Sequence, residues 1–164
     1  MNFQTYKEII KERLSRYFNV EEKYTYNNKI FDIFAVSNIR NEKFMASKKL
    51  TIYAFENDEY CFIKYYEDLD DNKLYEIIDT LKSSIKDYIK LHEEHMSSNI
   101  TGVLVVDDIN NNELIKRIEK FHYQKSFAFG LKGWADVRLV AVNLNNGEVY
   151  TSKKAKKVDK FYRP

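Results

Sequence analysis

From Thr101 to Val106 the chain reads Thr-Gly-Val-Leu-Val-Val before Asp107 and Asp108, with no polar residue alternating through its middle. A strand of this kind needs cover on both faces, which a central, largely parallel strand receives from helices packed above and below it. Strands so placed commonly deliver polar groups to a ligand crevice at their carboxyl ends. The run therefore sets the expected class: α/β, with a single mixed sheet, helices on its faces, and two aspartates where a crevice would open.

Element order follows from periodicity. Tyr6, Ile9, Ile10, Leu14, Tyr17 and Phe18 recur at helical spacing and predict a helix over residues 3–19, with Thr5 as its cap. Residues 22–38 are rich in β-branched and aromatic side chains, and Leu50 to Phe55 and Tyr60 to Tyr66 read as strands flanking the polar connection Glu56 to Glu59. Leu74, Ile77, Ile78, Leu81, Ile85, Tyr88 and Ile89 make the longest apolar stripe and predict a helix over 71–93. After the strand at 100–107 come a short helix carrying Leu114, Ile115, Ile118 and Phe121, then strands at Ser126 to Gly130, Trp134 to Leu144 and Glu148 to Ser152. Asn145-Asn146-Gly147 suits a tight turn between the last two. The order is αβββαβα followed by a C-terminal β-meander, forming one domain over 1–152 with a basic tail at 153–164.

Totals exclude several classes. The chain has 27 basic and 25 acidic residues, so it carries little long-range field to draw nucleic acid or an acidic membrane, and any binding of polyanions must come from local clustering. Cys61 is alone and cannot form an internal disulfide, and the first residues lack a charged leader ahead of an apolar stretch, which predicts a cytoplasmic location. No window approaches the ~18 apolar residues of a spanning helix, so no membrane role is expected.

Five groups of residues carry the candidate chemistry. Asp107 and Asp108 could face a crevice and share a cation or a proton, or could serve the start of the following helix. Trp134, Asp136 and Arg138 project from one strand face at period two, with Lys132 in the loop between Gly130 and Gly133. There a structural Asp–Arg pair is expected, the alternative being an Arg138 left to grip a phosphate beside a stacking indole. Asp32, Glu56, Glu59 and Lys64 are the parts from which a Mg²⁺ phosphodiesterase would be built. His92 and His95 sit three apart, a spacing that can put two imidazoles on one helix face but supplies no third ligand. Lys153, Lys154, Lys156, Lys157 and Lys160, with Phe161 and Tyr162 among them, are the stretch through which nucleic acid would be held.

Two resemblances add to this. The order helix, antiparallel strands, helix, returning strand over residues 3–107 resembles the core of the PD-(D/E)XK nuclease-like fold. That resemblance implies a metal-holding Asp at Asp32 and the catalytic Lys at Lys64, while Phe62 stands where the family has a carboxylate. Through Gly130-Leu131-Lys132-Gly133-Trp134 and Gly147-Glu148-Val149-Tyr150 the chain is also similar to an uncharacterised bacterial and archaeal domain family. The expected function is a non-catalytic or degenerate nuclease-like module that needs no cofactor and binds a ligand or protein partner through Asp107, Asp108, Lys132, Trp134, Asp136 and Arg138. The alternative is a Mg²⁺-dependent phosphodiesterase using Asp32, Glu56 or Glu59, and Lys64.

Overall fold

A computed structural model describes residues 1–37, 58–89 and 97–164. Helix α1 (Phe3–Ser15) leads into β1 (Asn19–Tyr26) and β2 (Lys29–Ser37), and β3 (Asp58–Tyr66) precedes α2 (Asp71–Tyr88). Then follow β4 (Ser97–Val106), α3 (Asn112–Lys120), β5 (Tyr123–Ser126), β6 (Trp134–Asn143), β7 (Val149–Thr151) and a 3-10 segment over Lys153–Tyr162. The strands form one seven-stranded mixed sheet in the order β1-β2-β3-β4-β6-β5, with β7 also on β6.

The apolar run lies where its composition requires. β4 pairs in parallel with β3 on one side and β6 on the other, and residues Ser98 to Val106 are all buried. On one face, α2 and α3 cover Phe62, Ile100, Leu104, Val137 and Leu139. On the other, α1 and the C-terminal 3-10 segment cover Ile33, Ala35, Ile63, Val103, Val140 and Val142. Gly102 is glycine because α2 comes so close: a Cβ there would stand 2.4 Å from Leu81 Cδ1.

Local chemistry explains the boundaries that differ from expectation. Asn2, not Thr5, caps α1, its side chain accepting from Thr5 N–H at 2.8 Å, and the helix ends at Ser15 rather than residue 19. The run at 22–38 is two strands, because Asn27 and Asn28 both adopt left-handed backbone and close a two-residue hairpin. The strand expected at Ser126 to Gly130 is β5 at Tyr123–Ser126 followed by a single 3-10 turn. Helix α2 ends at Tyr88 rather than residue 93, because Ile89 turns to extended backbone and caps it. The strand expected at Leu50 to Phe55, Glu56, His92 and His95 lie outside the described residues.

The basic segment at the C-terminus is part of the core. Ala155, Val158 and Phe161 recur every three residues, the period of a 3-10 turn, and with Tyr162 they face the sheet, while Lys153, Lys154, Lys156, Lys157 and Lys160 face water. Helix α1 holds it there: Tyr6 Oη donates to Tyr162 O at 2.8 Å and Arg13 Nη1 to Phe161 O at 3.0 Å.

Candidate functional site

Because β3, β4 and β6 are parallel, they all begin at the same end of the sheet, and their register aligns Cys61 with Thr101 and Thr101 with Arg138. These three side chains and Glu59 therefore share the face beneath the C-terminal segment, where all four are fully buried. Arg138 Nη2 is paired with Glu59 Oε2, and Arg138 Nε donates to Thr101 Oγ1 at 3.1 Å, while Thr101 in turn donates to Glu59 Oε1. Cys61 Sγ lies 3.2 Å from Tyr162 Oη. Burial would lower the Arg138 pKa, but the Glu59 charge and its hydrogen bond outweigh this and hold it above the ordinary arginine value. Burial pushes the Cys61 thiol and the Tyr162 phenol up, so both stay protonated and unreactive. Arg138 Nη1 is buried without a hydrogen-bond partner, so the network is satisfied at Nε and Nη2 but not throughout. The cluster ties three strands and the C-terminal segment together without reaching solvent.

Arg138 thus pairs with Glu59 rather than with its strand neighbour Asp136. Asp136 instead accepts from Gln124 Nε2 at 2.9 Å and from Lys154 Nζ at 3.3 Å. Asp107 and Asp108 lie at the opposite end of the sheet from Trp134. Ser97 pairs with Trp134 and Val106 with Asn143, so these two ends of β4 and β6 stand nine residues, or about 30 Å, apart. One ligand surface does not contain both. Asp107 accepts from Tyr65 Oη at 2.7 Å, a bond that with partial desolvation pushes the Tyr65 pKa up to about 12. Asp108 accepts from Asn143 at 3.0 Å and Asn110 at 2.6 Å, which hold its pKa below the usual carboxylate range. The cap of α3 is Asn111, not either aspartate.

The metal-enzyme residues are likewise separated. Asp32 Oδ2 accepts from Tyr65 N–H at 2.8 Å, and Lys64 Nζ donates to Ile30 O at 2.7 Å. Glu59 pairs in register with Ser37, five residues along β2 from Asp32, or about 17 Å, and is committed to Arg138. Among the described residues no group of three or more His, Cys, Asp or Glu side chains is placed to hold a metal.

At the end of the sheet where Trp134 lies, residues 127–133 form a tip closed by its own backbone. Phe127 O accepts from Gly130 N–H at 2.9 Å and Lys132 N–H at 3.2 Å, and Phe127 N–H donates to Gly133 O at 3.0 Å. Ala128 and Phe129 have φ of 48° and 55°, a left-handed conformation that bulky side chains rarely adopt. This turn points Phe129 and Leu131 outward at 105% and 89% exposure, beside Trp134 at 39%. Lys125 Nζ stands 5.9 Å from the Phe127 ring centroid at its base.

Over residues 2–164 the sequence matches a family described as a domain of unknown function, DUF8052. The chain belongs to that family. No curated protein and no solved structure matches this DUF8052 domain. Two of its features escape a reading of the sequence. Glu59 looked like a hairpin-tip acid, and its period-two relation to Cys61 was the available signal for an inward position. Phe129 was absorbed into the strand expected at Ser126 to Gly130 and Leu131 was left in the loop after it, although Gly130 and Gly133 nearby signal a turn.

Proposed function

We propose that this domain is a non-catalytic binding module whose contact surface is the 127–133 tip with Trp134, Lys132 and the rim residues Asp136, Lys154 and Gln124. The observation that carries this reading is the full exposure of Phe129 and Leu131 on a turn held by its own backbone hydrogen bonds. Apolar side chains gathered at one exposed place mark interaction sites, whereas scattered ones do not. Arg138 belongs to the support beneath this surface: paired with Glu59 and fully buried, it fixes the start of β6 from which Trp134 and Asp136 project. Asp107 and Asp108, held by Tyr65, Asn110 and Asn143 at the far end, serve the connection from β4 to α3.

The test is the binding of an apolar fluorescent dye to the wild type and to a Phe129→Ser/Leu131→Ser variant. The variant is expected to lose most of the dye signal with an unchanged melting temperature, since neither side chain packs on the core. A variant that keeps the signal, or melts several degrees lower, would overturn the reading. A wild type stabilised by millimolar Mg²⁺ or Mn²⁺, with the effect lost in Asp32→Ala, would favour the alternative phosphodiesterase over the binding module.

A further inference from the structure

We infer that the 127–133 tip docks on an anionic lipid surface, a partner that presupposes the tip is the domain's binding surface. Along the stretch of chain that carries it, the charge is one-sided. From Lys120 to Ala135 the chain has no Asp or Glu, while Lys120, Lys125 and Lys132 fall within that stretch. Lys125 and Lys132 are exposed on either side of Phe129 and Leu131. The first acid beyond, Asp136, is almost fully buried and already accepts from Gln124 and Lys154, and the exposed Lys153 adjoins Lys154.

Shape and charge together select the occupant. Phe129 and Leu131 protrude from a convex turn, so a protein partner would need a matching cup, whereas acyl chains at a bilayer surface close around any protruding apolar group. A second copy of this chain would bring lysines against lysines at the same contact, which costs repulsion. Anionic headgroups pair with Lys125, Lys132 and Lys153 while the two apolar side chains enter the interface and Trp134 settles at headgroup depth. Among the described residues no helix is long and apolar enough to cross a membrane, and docking of this kind needs none.

Trp134 is the sole tryptophan, so its emission reports on the tip without labelling. Full-length protein is mixed with phosphatidylcholine vesicles, and with phosphatidylcholine vesicles containing about one-third phosphatidylglycerol, and followed by co-sedimentation and Trp134 emission. Wild type is expected to sediment with the anionic vesicles only, with a blue-shifted Trp134 emission. Phe129→Ser/Leu131→Ser should weaken binding at least about tenfold. Each of Lys125→Gln and Lys132→Gln should weaken it about fivefold, and the effect should fade as salt is raised. Equal binding to both vesicle types, or none, overturns the lipid assignment. Dye binding at the tip without vesicle binding leaves the contact surface standing and removes only the lipid. Self-association abolished by the double serine variant would assign the tip to a second copy and overturn the lipid assignment as well.

Discussion

Glu59→Gln tests the buried cluster most sharply, because it keeps the side chain's shape and removes only its charge. Glu59 and Arg138 are both fully buried and paired, with Thr101 bridging them. Neutralising Glu59 leaves a guanidinium in an apolar interior with no counter-charge. Removing one partner of such a pair costs about 3–5 kcal/mol, far more than the pair contributes relative to apolar replacements. At roughly 2–4 °C per kcal/mol for a domain of this size, the melting temperature should fall by roughly 6–20 °C. A triple variant, Glu59→Leu/Thr101→Val/Arg138→Met, removes all three polar groups at once and should recover most or all of that loss. Urea unfolding followed by circular dichroism measures both. A Glu59→Gln loss below about 1 kcal/mol would mean that the pair is not desolvated as the burial indicates. A triple variant no more stable than Glu59→Gln would refute the claim that the uncompensated charge is the source of the cost.

Gly102→Ala should destabilise by about 1–3 kcal/mol through overpacking against Leu81, and the loss should largely vanish in a Leu81→Ala background, where the room exists. A full loss in both backgrounds in a thermal melt would remove the contact as its cause. Glu22 tests the surface electrostatics: hydrogen bonds from Lys11 and then Lys7 lower its pKa to about 2. Its folded pKa lies below the unfolded one, so its contribution is present above about pH 4.5 and lost as pH falls toward 2. Because these groups are partly in water, Glu22→Gln should cost no more than about 1 kcal/mol at neutral pH, and the difference from wild type should close by pH 2. A difference that persists unchanged in acid would contradict the assignment.

Much of the architecture is legible in the chain. The unbroken apolar run of β4 demands cover on both faces, and the long stripe from Leu74 to Ile85 demands a sheet to cover, so a mixed sheet between helices follows from burial alone. The Asn27-Asn28 hairpin was missed, because residues 22–38 read as one β-rich stretch, although two adjacent asparagines that tolerate left-handed backbone were a signal for it. The C-terminal segment was not read in the same way. Its lysines suggested a solvated arm, and only the three-residue spacing of Ala155, Val158 and Phe161 hinted that one side of it faces the sheet.

Residue types and their periods determined which segments become strands and helices, because those follow from steric and burial rules acting over a few neighbours. Which polar groups meet was decided by strand order and register alone. Parallel pairing of β3, β4 and β6 sets Glu59 and Arg138 face to face across 79 residues of chain, and it sends Asp107 and Asp108 to the far end from Trp134. Nothing local distinguishes Glu59 as the partner of Arg138 from Asp136, two residues away. The distinction arises only when the strands align, since an ion pair acts over a few ångströms of space and is indifferent to distance along the chain.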